Sequence, residues 1–179
     1  MIKVVVIGVE STGKSTLCQA LAEHFNGAWV REYARDYLNA HGTDYVFEDL
    51  LHIAKGQVDL IEQATQAALQ NQTPYLFVDT DMHVMHVWGT VVFGMTHEWI
   101  EQQRAVQTAD LYLLTNPDLP WVDDGMREYP DHAYRQALHQ TYVQLLTQQS
   151  TPWAHVMGEG DARVQSAVDA VLRQTMLSV

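Results

Sequence analysis

The sequence predicts an α/β fold of three layers, with a five-stranded parallel sheet between helices on both faces. Three observations predict it. Short apolar runs recur along the chain with helix-length intervals between them. The first run, Val4-Val5-Val6-Ile7, shows no polar alternation, as expected of a strand covered on both sides. It stops at Gly8 and a helical pattern follows at once, with Leu17, Leu21 and Phe25 four residues apart.

The remaining elements follow in order. The first helix spans residues 14–25, Ala28-Trp29-Val30 is a second strand, and 33–40 a short helix. Between 47 and 71 the apolar residues Phe47, Leu50, Leu51, Ala54, Val58, Ile61, Ala64 and Ala68 keep a helical period, predicting one long amphipathic helix. Pro74 introduces a third strand, Tyr75-Leu76-Phe77-Val78-Asp79, which ends on a carboxylate. Helices are expected over 81–88 and 97–108. Leu111-Tyr112-Leu113-Leu114 is a fourth strand, stopped by Asn116-Pro117. A helix over 131–149, a fifth strand over 153–157 and a closing helix over 161–176 complete the pattern. Such sheets bind ligands beyond the carboxyl ends of their strands, where Gly8, Asp79, Asn116 and Gly158 all fall.

Bulk properties narrow the function. The 179 residues, 47% hydrophobic and 18% charged, suit one globular domain over 1–179, and no Gly/Ser linker or repeat divides them. No apolar run approaches the roughly 18 residues of a membrane span, and Met1-Ile2-Lys3-Val4 leads into a strand rather than a signal peptide. The lone Cys18 has no disulfide partner and reads as a buried apolar group. A cytoplasmic setting is therefore expected. With 22 acidic against 10 basic residues the formal charge is −12, which argues against nucleic acid as a partner. Any attraction for a phosphate must be local, so Lys14, Arg31, Arg35, Arg104, Arg127 and Arg135 are of interest. A homo-oligomer is neither required nor excluded.

Gly8-Val9-Glu10-Ser11-Thr12-Gly13-Lys14-Ser15 matches the phosphate-binding pattern G-x-x-x-x-G-K-[ST]. Its glycines let backbone N–H groups approach phosphate oxygens, and the helix N-terminus adds its positive dipole end. Between a buried strand and a helix this is the context of a P-loop NTPase fold. ATP is expected along Gly8, Glu10, Ser11, Thr12, Gly13, Lys14, Ser15 and Thr16. Lys14 would reach the β- and γ-phosphates and Ser15 would ligate Mg²⁺.

Phosphoryl transfer also needs a carboxylate, to hold Mg²⁺ or to accept a proton. Asp79, at the end of the third strand, is the main candidate for base or metal carboxylate. Asp81 either shares that work or caps the next helix.

Four segments resemble the ribosylnicotinamide kinase domain of NadR-type bacterial proteins. They are the P-loop, Glu32-Tyr33-Ala34-Arg35-Asp36, Phe77-Val78-Asp79-Thr80-Asp81 and Trp121-Val122-Asp123-Asp124-Gly125-Met126-Arg127. The last is the most distinctive. The resemblance implies ATP-dependent phosphorylation of the 5′-hydroxyl of nicotinamide riboside, giving nicotinamide mononucleotide. Fuller members of the family add a helix-turn-helix and an adenylyltransferase domain, for which this chain has no room.

The residues fit such a kinase. Arg127 follows the acidic pair Asp123 and Asp124 before the 131–149 helix, in a region (about 117–135) where small P-loop kinases carry a lid whose arginines neutralise phosphoryl charge. Arg135 could assist; a solvated loop with an arginine–carboxylate pair is the plainer alternative. Glu32, Tyr33, Arg35 and Asp36 follow the second strand, where the acceptor is expected. Carboxylates for sugar hydroxyls and an aromatic for a cationic ring would suit it, with Asp124 as a further contact. Trp88 and Trp29 are candidate stacking partners, and Tyr33 and Trp88 serve equally well as core aromatics.

Other signals carry less. Thr115-Asn116-Pro117-Asp118 lacks the lysine of a guanine-reading motif. His83, His86 and His97 read as helix histidines rather than a zinc site. Gly158-Glu159-Gly160-Asp161 is either an adenine rest or a turn with a cap. The alternatives to a nicotinamide riboside kinase are a deoxynucleoside or nucleoside monophosphate kinase, or a P-loop regulatory module that transfers nothing.

Overall fold

The computed structural model describes residues 1–177. Its strands are β1 (Ile2–Ile7), β2 (Ala28–Val30), β3 (Tyr75–Asp79), β4 (Leu111–Thr115) and β5 (Trp153–Val156). Its helices are α1 (Lys14–His24), α2 (Tyr33–His41), α3 (Phe47–Gln70), α4 (Met82–Phe93), α5 (Glu98–Val106), α6 (His132–Thr147) and α7 (Gly160–Leu177). The five strands form one parallel sheet in the order β2-β3-β1-β4-β5.

Side chains alternate across a strand, so each strand feeds both helical layers. Val4 and Val6 of β1 pack with Leu17 and Leu21 of α1 and with Val168 and Val171 of α7. Val5 and Ile7 face the opposite layer, against Ile61 of α3, Val87 of α4, and Tyr142 and Leu146 of α6. That is why β1 reads as an unbroken apolar run. A third cluster joins Leu50, Ile53 and Ala54 of α3 to Met82 and Met85 of α4 and Ile100 of α5. This is the three-layer P-loop NTPase arrangement that the sequence predicts.

The predicted elements are all present, and only α4 departs from its expected limits by more than two residues. It runs on to Phe93, where Gly94 at φ 71° ends it. The sequence hides this extension because Gly89 and Thr90 look like a helix end. Gly89 is instead a packing contact, since a Cβ there would lie 2.8 Å from the Met95 carbonyl oxygen.

Strand order reverses at β1, which lies between β3 and β4. The crevice at such a reversal opens at the carboxyl ends of the strands. Gly8 follows β1, Asp79 ends β3 and Thr115 ends β4, so the fold delivers all three to one place.

Candidate active site

The loop after β1 is held in a strained, open curve. Gly8, Ser11 and Gly13 have φ values of 142°, 57° and 73°. A Cβ on Gly8 would meet Thr115 Oγ1 at 2.4 Å and the Thr115 carbonyl at 2.9 Å, so only glycine lets β4 pass. Thr12 Oγ1 donates to the Val9 carbonyl at 2.8 Å, and Lys14 Nζ donates to the same oxygen at 3.0 Å.

Arg163 of α7 was not foreseen. Its Nη2 donates to the carbonyls of Thr12 (2.8 Å) and Asn116 (3.0 Å). Its Nη1 donates to the Gly158 carbonyl (2.8 Å) and to Asp118 Oδ1 (2.6 Å). One buried guanidinium thus joins the P-loop to the turns after β4 and β5, the second of them the 158–161 turn singled out by its position.

Ser15 Oγ donates to Asp79 Oδ2 at 2.5 Å, while the buried Oδ1 has no partner among the described residues. Asp79 is fully buried. Burial and the nearby charge of Glu32 raise its carboxyl group from 3.8 to about 6, against the opposing pull of Lys14, Ser15 and Arg35. The next residue, Thr80, sits in the left-handed region at φ 67°. Gln57 of α3 supports this turn, with Nε2 donating to the carbonyls of Asp79 (3.3 Å) and Thr80 (3.2 Å). Its Oε1 accepts the Tyr33 backbone N–H at 2.7 Å. Gln57 was also missed, because a glutamine in a long helix carries no motif.

Asp81 takes the second of its two expected roles, the helix cap, and not the catalytic one. Its carboxylate accepts the His83 backbone N–H (2.9 Å) and the Tyr112 hydroxyl (2.9 Å), and lies 3.1 Å from His83 Nδ1. It is the N-cap of α4, buried away from the main cleft, and His83 holds its carboxyl below the usual range despite burial. Asp79 therefore stands without Asp81 as a partner.

A cleft of about 720 Å³ runs from residues 8–16 to a second wall. That wall includes Glu32, Arg35, Tyr45, Trp88, Leu138 and Tyr142, with residues 125–129 above. The Trp88 indole N–H donates to the Tyr45 hydroxyl at 2.9 Å, and that hydroxyl donates to the Glu128 carboxylate at 3.0 Å. Tyr45 and Glu128 were not foreseen. Of the expected acceptor-side residues, Tyr33, Trp29, Asp36 and Asp124 do not line the cleft. Tyr33 packs on α3, where a Cβ on Gly56 would lie 2.1 Å from its ring. Trp29 packs against the α1 side of the sheet. Asp36 pairs with Arg31 at 2.7 Å.

Residues 117–131 fold over the P-loop. Asp124 Oδ2 lies 2.9 Å from Arg35 Nη1 and 3.1 Å from Arg127 Nε, so one carboxylate joins α2 to the 117–131 segment. Arg127 Nη1 donates to Ser11 Oγ at 3.2 Å and also to the Val122 carbonyl. Glu10, expected among the ATP contacts, turns its carboxylate toward the lid, where it accepts the Trp121 indole N–H at 2.9 Å. Arg135 is buried beneath this segment, donating to the Leu119 carbonyl at 3.3 Å. His83, His86 and His97 each face a different partner: Asp81, Glu101 and the Phe47 carbonyl.

The family described as AAA domain matches residues 3–163, most of the chain. The chain belongs to this family. The chain is 31% identical over 173 residues to the trifunctional NAD biosynthesis/regulator protein NadR of Salmonella typhimurium. It is 30% identical over 173 residues to the protein of the same name from Escherichia coli. Each match takes in 94% of this chain and 41% of the relative, so the chain spans less than half the length of these relatives. A crystal structure of NadR protein in complex with NR has a TM-score of 0.76 at 27% identity, over 97% of this chain and 51% of that one. The resemblance drawn from the four segments is thereby borne out. Thymidylate kinase from Ehrlichia chaffeensis gives a TM-score of 0.68 at 13% identity, over 95% of this chain and 98% of that one, which shows a shared kinase fold. No described helix is long and apolar enough to cross a membrane.

Proposed function

We propose that the protein is a Mg²⁺- and ATP-dependent kinase that phosphorylates the 5′-hydroxyl of nicotinamide riboside to give nicotinamide mononucleotide. Residues 1–179 act in this reading as one kinase domain with its lid at about 117–135. The observation that carries it is the single cleft in which the P-loop faces a wall of carboxylates and aromatic rings. Support for the acceptor comes from likeness to NadR, one structure of which is described as a complex with NR.

The residues present fit a magnesium ion. A hydroxyl and a carboxylate lie in contact, with a second carboxylate oxygen left without a partner, and Mg²⁺ prefers such hard oxygen donors. Ser15 and Asp79 would hold the ion, which offsets phosphate charge when bound. The acceptor oxygen attacks the γ-phosphorus, the new O–P bond forms as the bond to the β-phosphate oxygen breaks, and ADP leaves. Lys14 and Arg127 balance the charge that develops on the transferring group.

The proton of the acceptor hydroxyl passes to a carboxylate at the joint between the two walls. Asp79 is the first candidate, as the carboxylate in contact with the phosphate loop through Ser15. A second reading gives that step to Glu32, because Glu32 lines the cleft whereas Asp79 lies beneath its floor. In this reading Glu32, Arg35, Trp88, Tyr45 and Glu128 line the acceptor side, and Asp124 acts on it through Arg35.

A coupled assay with ATP across a panel of nucleosides and monophosphates tests the assignment. Turnover with nicotinamide riboside, well above any other acceptor, is expected. Turnover confined to thymidine, deoxyadenosine or a monophosphate would overturn the acceptor, and slow hydrolysis indifferent to every acceptor would point to a regulatory module.

A further inference from the structure

Glu10 stands in the middle of the phosphate loop, where a free carboxylate would repel a triphosphate. Its oxygens are engaged elsewhere. Oε1 accepts the Trp121 indole N–H at 2.9 Å and the Tyr129 backbone N–H at 2.6 Å, and Oε2 accepts the Glu128 backbone N–H at 3.0 Å. Ser11, the next loop residue, accepts the Val122 backbone N–H at 3.0 Å and donates to the Pro120 carbonyl at 3.3 Å. Two successive P-loop residues therefore hold both ends of the segment that carries Arg127.

We propose that Glu10 is a positioning residue, whose carboxylate latches the 121–129 strap onto the phosphate loop and so sets Arg127 beside Ser11. Hydrogen bonds to an ionised acceptor are roughly twice as strong as neutral ones, so this carboxylate is a firm anchor for two backbone amides. The latch also has a sign. When the strap lifts, Glu10 loses three donors and its charge is left beside the phosphate site. Strap opening and weaker triphosphate binding then accompany each other, as linkage requires. A loop residue that bound phosphate directly would show no dependence on the strap.

The kinetic part of this proposal rests on the kinase reading, while its structural part does not. Hydrogen exchange of the peptide holding Glu128 and Tyr129, and steady-state kinetics, are measured for Glu10→Ala and Glu10→Gln. In Glu10→Ala those amides should exchange at least about tenfold faster, since their acceptor is gone. Its kcat should fall at least about tenfold with KM for ATP within about threefold, and adding Arg127→Ala should cost little more. Glu10→Gln, which keeps one carbonyl acceptor and serves as the check on folding, should fall between. Unchanged exchange at these amides would overturn the latch. So would a rise of about tenfold in KM for ATP at constant kcat, which would place Glu10 on the phosphate side. If the nucleoside panel yields no acceptor, the exchange result alone decides.

Discussion

Asp79 holds a carboxylate where water does not reach, between the Ser15 hydroxyl and the field of Glu32. Its folded value of about 6 lies above its ordinary 3.8, so the native state binds the proton more tightly than the unfolded chain does. Stability is therefore lost as pH rises from 3.8 to about 6, and the cost of the buried charge persists above that window. Asp79→Asn removes the charge. The variant is expected to melt a few degrees above the wild type at pH 8 in the absence of nucleotide and metal, by thermal denaturation. The same change should lower phosphoryl transfer by about 10²–10⁴ and erase the acidic limb of kcat/KM near pH 6. Transfer within a few-fold of wild type would remove Asp79 from the chemistry. Transfer kept in Asp79→Asn but lost in Glu32→Gln would move the proton step to Glu32. The place of Asp79 beside the phosphate loop was legible because a carboxylate closes a buried strand next to β1. Asp81 stayed open between two roles because an aspartate after a strand is equally a helix cap, and only the contacts with His83 and Tyr112 distinguish them.

The elements themselves were easy to read where burial is periodic. The β1 run and the four-residue spacing in α1 and α3 follow directly from two-sided and one-sided burial. Residues that tie loops together left no such trace. Arg163 and Gln57 look like ordinary polar positions on helices, and their importance comes from carbonyls brought near by the strand order. Tyr45 sits in a loop whose course no local pattern fixes. The lid falls between these cases, with its sequence distinctive and its contacts hidden. Asp124 shows what the lid adds. The side chains it joins are partly exposed, 42% for Arg35 and 21% for Arg127, and such ion pairs are worth about 0.2–1 kcal/mol each. Asp124→Ala should therefore leave the melting temperature nearly unchanged. It should instead lower kcat by about tenfold or more, because Arg127 loses the contact that relates it to the acceptor-side helix. A large loss of stability with normal kinetics would make Asp124 a structural residue only.

At the scale of the molecule, one strand reversal explains why the functional groups meet. With β1 between β3 and β4, the phosphate loop, the Asp79 carboxylate and the Thr115 end of β4 converge on one crevice. The helix α2 and the 117–131 segment then meet through Arg35 and Asp124. Sequence pattern reaches the donor half of this arrangement, since the P-loop is a contiguous motif. The other wall of the cleft is assembled from α2, the Tyr45 loop, α4 and residues 125–129, so it emerges only when the chain is folded. Its chemistry is also the part that distinguishes transfer from hydrolysis. A single-turnover experiment with γ-labelled ATP, excess protein and nicotinamide riboside tests this most directly. The label is expected in nicotinamide mononucleotide, with little released as inorganic phosphate. Label released as inorganic phosphate, at the same rate with and without nicotinamide riboside and with none in the mononucleotide, would contradict it.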